Sequence, residues 1–127
     1  MKIGDAYFSC VDSIGPLYLR HVFAEFEGEP VLFLCSDTDE HMYLCLCSEM
    51  RNEQRWLISK SSAMILKKMT SGEIDIRTAL KQPANIIVQV CAANGNESSQ
   101  MVPTSSVDTL DLPEPNTFLV DSSIVLK

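Results

Sequence analysis

An α+β fold is what this sequence predicts: a mainly antiparallel sheet of about five to seven strands with two short helices packed on it. Three observations carry that expectation. Short apolar, aromatic-rich runs recur between turn signals over residues 6–59, the signature of consecutive strands. Residues 59–83 break the series with helix start and stop signals instead,. A β-branched run then resumes over residues 85–91,. With 127 residues, 46% hydrophobic and 21% charged, the chain has globular composition and enough length for one buried core.

The first strand is expected over residues 6–11, ended by Ile14-Gly15-Pro16,. Residues 17–26 follow. If extended, Leu17, Leu19, His21, Phe23 and Glu25 share one face, and Tyr18, Arg20, Val22, Ala24 and Phe26 the other,. Neither face is cleanly polar, so period alone leaves a helix open, and the aromatic content favours a strand. Glu27-Gly28-Glu29-Pro30 turns the chain into a near-continuous apolar run over residues 31–36. Asp37-Thr38-Asp39-Glu40 makes the next turn, into residues 41–48. Runs that are apolar on both faces belong to central strands covered on both sides. Residues 49–54 read as a loop or hairpin tip, and residues 55–59 as a short strand.

Two helices are expected next. Ser61 or Ser62 can accept a hydrogen bond from a first-turn amide,. Ile65, Leu66 and Met69 then make a narrow apolar stripe,. Lys67 and Lys68 stand in the last turn, where the helix dipole favours cations, and Gly72 can close the helix,. Asp75 is a second N-cap, with Ile76, Ala79 and Leu80 on one face and Pro83 stopping continuation,. Neither helix is long enough to stand alone. Asn94-Gly95 is the strongest hairpin dipeptide in the chain,. The expected organisation is a compact core over 1–93, an irregular Ser/Thr/Pro-rich connection over 94–116, and a terminal strand over 117–127 docking on the core.

Charge is unevenly placed. The net is −7 overall, but residues 51–82 hold seven basic against three acidic side chains, a net of +4. Residues 1–50 hold two against nine, a net of −7. Net acidity disfavours nucleic acid and anionic lipid as partners. No run approaches the roughly 18 apolar residues of a membrane span, and the N-terminal residues do not read as an export signal. Five cysteines without such a signal are expected as free thiols in a cytoplasmic protein,.

Gly15-Pro16, the aromatic-rich strand pair and Ser71-Gly72-Glu73-Ile74-Asp75-Ile76-Arg77-Thr78-Ala79-Leu80 together resemble a family of small uncharacterised bacterial domains. The resemblance covers roughly residues 5–90. It implies a strand leading to two short helices across a Ser-Gly-Glu-Ile turn, and a bacterial or phage source. It transfers no catalytic residue.

Chemistry-bearing patterns are sparse. Cys45 and Cys47 share a strand face roughly 7 Å apart, with Cys35 and His41 nearby. A one-residue gap without a second pair is not zinc-knuckle spacing, so core thiols are the expectation, with no metal and no cofactor. The acidic turn Asp37, Asp39, Glu40 lacks calcium-loop spacing, and no nucleophile or nucleotide motif is present. Arg51, Arg55, Lys60, Lys67 and Lys68, with Trp56 among them, form a candidate basic face,. The functional expectation is therefore a non-catalytic protein–protein interaction module. Its partner-binding residues are Arg51, Arg55, Trp56, Lys60, Lys67 and Lys68 with Asp37, Asp39 and Glu40. Such a protein would contact a protein partner or a second copy of itself, as inhibitors or immunity-type factors in conflict systems do. The alternative is a small ligand-binding protein or enzyme using His21, His41 or the cysteines in a pocket.

Overall fold

The computed structural model describes residues 2–49, 53–107 and 111–119. Seven strands form one antiparallel sheet in simple sequence order. They are β1 (Ala6–Val11), β2 (Gly15–Phe26), β3 (Glu29–Ser36), β4 (Met42–Glu49), β5 (Gln54–Lys60), β6 (Asn85–Cys91) and β7 (Glu97–Pro103). Helices α1 (Ala63–Thr70) and α2 (Ile76–Leu80) lie between β5 and β6. No described helix is long and apolar enough to cross a membrane.

The central strands are apolar on both faces, and two clusters result. Phe33, Cys35, Tyr43, Cys45, Trp56, Ile58 and Ile87 point to one side with Phe8, Val11, Leu17 and Leu19. Leu32, Leu44, Leu57 and Ile86 point to the other, in a cluster with Phe23, Leu66, Met69, Ala79, Leu80, Leu112 and Leu119. Register accounts for the split: Phe33 opposes Cys45 on one face while Leu32 opposes Leu46 on the other, as a period of two requires.

The sheet curls over the first cluster. Phe8 of β1 stacks edge-on against Trp56 of β5 at 5.2 Å, although three strands separate them in sheet order. The Asp12 amide donates to Ser99 Oγ at 3.2 Å, so the first hairpin reaches the seventh strand. Irregularities in the β1–β2 and β2–β3 ladders supply the bend, because a bulge adds a residue on one side and increases local twist. One falls between Leu19 and His21 and reverses the parity of β2. Leu17 and Leu19 face the first cluster before it, Val22 packs there after it, and Phe23 joins the second. This is why neither face of residues 17–26 reads as cleanly polar.

Both helices begin at the expected caps. Ser62 Oγ accepts from the Ile65 amide, and Asp75 Oδ1 accepts from the Thr78 amide at 2.7 Å. Gly72, at φ +79°, takes the left-handed conformation that ends α1,. Ser59 Oγ, fully buried on β5, donates to the Leu80 carbonyl at 2.7 Å and so satisfies the end of α2,.

The expected irregular connection over 94–116 is corrected in two places. Residues 97–103 are strand β7, paired with β6 from Cys91–Glu97 to Asn85–Pro103. Its Ser-rich sequence hides it, because an edge strand whose residues are mostly exposed has no apolar alternation to display,. Residues 111–119 are irregular but fastened. Arg55 donates to Asp111 Oδ1 at 3.3 Å, Arg77 to the Pro113 carbonyl at 3.2 Å, and the Asn116 amide to Asp75 Oδ2 at 2.8 Å. Leu112 and Leu119 are buried in the second cluster. Of the expected terminal strand over 117–127, residues 117–119 form no strand and the remainder lies outside the described residues.

Met69 is fully buried and Met64, on the same helix, is 64% exposed. Met69→Ala should therefore cost about 2–5 kcal/mol by leaving a cavity, and Met64→Ala less than about 0.5 kcal/mol. Urea unfolding of the two variants checks the contrast.

Candidate functional site

The acidic β3–β4 turn is organised by Asp37. Its Oδ1 accepts from the Asp39 and His41 amides, both at 2.9 Å, and its Oδ2 lies 3.0 Å from His41 Nδ1. Burial pushes the Asp37 carboxyl up, but the hydrogen bonds from His41 and Asp39 outweigh it and hold the group below the usual carboxylate range. These bonds close the turn and let Glu40 adopt φ +65°, a conformation that costs a non-glycine residue energy. Asp37 is thus a buried turn residue and is not free for a partner. Asp39 and Glu40 are exposed.

The expected basic face is not assembled as one surface. Trp56 is only 6% exposed and packs edge-on against both Tyr7 and Phe8, so it offers no face for a base to stack on. It lies inward because β5 alternates: Trp56 and Ile58 enter the first cluster, Leu57 the second. Arg55 is engaged by Glu53 at 3.1 Å and by Asp111. Lys60 shares the face of Trp56 and Ile58 by strand alternation. Lys67 and Lys68 stand on α1, whose buried residues belong to the opposite cluster. Arg51 lies outside the described residues.

The expectation of core thiols holds for Cys35 and Cys45, whereas Cys47 and Cys91 are half-buried and Cys10 is exposed. Cys35 and Cys45 are fully buried, and all five cysteines are free thiols. Burial pushes the Cys45 thiol well up, and the neighbouring Cys35 adds to the effect. Burial likewise raises Cys47. Thiols held protonated in this way are poor nucleophiles and poor metal ligands. Among the described residues no group of three or more His, Cys, Asp or Glu side chains is arranged to hold a metal ion. His21 is exposed and stacks edge-on against Phe23 at 4.7 Å.

Sequence reasoning misses one feature altogether. A cavity of about 390 Å³ opens at the end of the sheet that carries the acidic turn. Ile58, Ile87 and Met101 line it from the sheet and Ser13 and Ile14 from the β1–β2 turn, and Lys60 and Asn85 are among its polar lining residues. The three sheet residues are paired across strands, Ile58 with Ile87 and Ile87 with Met101. No signal in the sequence announces it, because the turn and these strands are brought together only by the curl.

The depressed Asp37 carboxyl makes an acid prediction. A group whose folded-state pKa lies below its unfolded value, about 3.9 for Asp, stabilises the fold above that value. The contribution disappears as pH falls through the lower folded value. Wild-type stability should therefore drop on acidification below about pH 4, and Asp37→Asn should start less stable at pH 7 with a shallower drop. Thermal melts from pH 7 to pH 2 decide it, and parallel slopes would sink the assignment.

Compared with known proteins, the chain matches no family model, no curated protein and no solved structure.

Proposed function

We propose that this protein is a small non-catalytic protein–protein interaction module, with its two helices docked on one face of the sheet and the outer surface of α1 as the contact. One observation carries the reading. Met64 is 64% exposed, and Lys67 and Lys68 follow it by three and four residues, which makes the three side chains neighbours on the helix surface. Neither lysine has an ion-pair partner among the described residues. The buried stripe of Leu66 and Met69 anchors the helix and leaves Met64 and Lys67 exposed, with Lys68 half-buried beside them.

An adaptable apolar side chain flanked by unpaired cations suits a protein surface with an apolar centre and an acidic rim. The protein's own exposed Asp39 and Glu40 have the rim chemistry, so a second copy is one partner of the right kind. Nucleic acid suits the surface less well, since the net charge is −7 and Trp56 is buried. The role of an inhibitor or immunity-type factor, which acts by binding alone, is consistent with this surface. A bacterial or phage source rests on the resemblance of residues 71–80. A cytoplasmic location is supported by the five free thiols,.

Charge reversal tests the contact. Lys67→Glu with Lys68→Glu should weaken partner binding or self-association at least about tenfold by opposing electrostatic steering. The melting temperature should stay within about 4 °C, the shift that roughly 1 kcal/mol gives, because Lys67 is exposed and Lys68 is only half-buried. Sedimentation of the protein alone, and comparison of what co-purifies with each form from the native host, measure the effect. Unchanged association in both assays removes α1 from the contact.

A further inference from the structure

The cavity at the mouth of the curled sheet has an unused division of chemistry. A cross-strand row of Ile58, Ile87 and Met101 lines it from the sheet, and Ile14 lines it from the β1–β2 turn. Lys60 and Asn85 are among its polar lining residues. Lys60 has no ion-pair partner among the described residues. Beside it Tyr43, its register partner on β4, is kept protonated by burial and by the Asp37 carboxylate, so it adds no negative charge to the lining.

The geometry points to this cavity as a binding site for a small amphipathic carboxylate, with its apolar body on the Ile58–Ile87–Met101 row and its anionic head at Lys60 and Asn85. Pockets of this kind, mostly apolar with a few placed polar groups, are typical small-molecule sites, and the volume of about 390 Å³ lies in their range. Length agrees as well. Adjacent strands lie about 4.8 Å apart, so a row across three strands spans about 10 Å. An extended chain advances about 3.5 Å per three backbone bonds, so roughly eight bonds match the row.

Charge selects the head group. A second cavity of similar size lies between Cys10, Asp12, Gln89, Glu97, Ser98 and Ser99. It contains two carboxylates and no cation, so an anion discriminates between the two cavities. The overall charge of −7 opposes an anion at long range, but that repulsion is screened beyond about 10 Å at 0.1 M salt. Lys60 acts at contact distance. This inference stands independently of the α1 contact surface, which belongs to another part of the molecule.

Octanoate is the probe, with octan-1-ol and octylammonium as charge controls of equal length. Titration into the isotope-labelled protein, followed by amide NMR, should give saturable shifts at Ser13, Ile14, Lys60, Asn85, Ile87 and Met101. Residues of the second cavity should stay unmoved. Octanol and octylammonium should bind at least about tenfold more weakly, the loss expected for one hydrogen bond to a charged group. Lys60→Met should reduce octanoate affinity to that of octanol and leave octanol unchanged. Because Lys60 is exposed, the variant retains the fold, and its spectrum verifies that directly. Shifts scattered over the exposed Phe26, Met64 and Phe118, equal binding of all three probes, or octanoate affinity indifferent to Lys60→Met would each overturn the assignment.

Discussion

The whole structure depends on one constraint: β3, β4 and β5 are apolar on both faces, so both faces must be covered. A flat meander of seven strands would leave one of them in water. Exposing Phe33, Cys35, Tyr43, Cys45, Trp56 and Ile58 together would cost several times the roughly 2 kcal/mol that each large apolar side chain contributes on burial. The chain answers with two different covers. On one side the sheet bends until β1 and the start of β2 lie over it, placing Phe8, Val11, Leu17 and Leu19 in the shared cluster. On the other, residues of α1, α2 and the segment 111–119 join the cluster of Leu32, Leu44, Leu57 and Ile86.

The polar groups follow from that arrangement. Once the backbone near the end of α2 is buried, its carbonyls need donors, and Ser59 supplies one from within the sheet. Once segment 111–119 lies beside α2, Arg55, Arg77 and Asp75 each hold part of it. These cations and this carboxylate are therefore engaged in structure. Lys60, Lys67 and Lys68 have no ion-pair partner among the described residues, and Lys60 lies on the face of the first cluster while the buried residues of α1 belong to the second. A protein built this way offers two distinct surfaces, a convex one on α1 and a concave one at the mouth of the curl.

Much of the local structure was legible beforehand, for reasons that are themselves local. The helix limits follow from Ser62, Gly72 and Asp75, because capping involves groups within three or four residues. The β6–β7 turn follows from Asn94-Gly95, whose glycine sits at φ +89°. Strand β7 was not legible, since an edge strand of Ser98, Ser99 and Gln100 owes its pairing to β6 rather than to any pattern of its own. Of the residues grouped as a basic face, Trp56 is buried and Arg55 is paired with Glu53 and Asp111. Nearness in sequence says nothing about faces once a strand alternates and the buried residues of a helix join the other cluster.

By itself, then, the sequence determined an α+β chain with a helical pair inserted in a strand series and an uneven charge, with buried thiols at Cys35 and Cys45 but not at Cys10. Those properties are carried by short-range signals: side-chain periodicity, cap residues and composition. Only the tertiary structure decided that the sheet curls, that Trp56 is buried and Asp37 engaged within its turn, and that Ser13 and Ile14 line a cavity with Ile58, Ile87 and Met101. The physical reason is that the curl, the burial of Trp56 and the cavity each depend on residues far apart in the chain meeting across the bend, as Asp12 meets Ser99 and Phe8 meets Trp56. The bend itself arises from ladder irregularities that no local pattern of residues specifies.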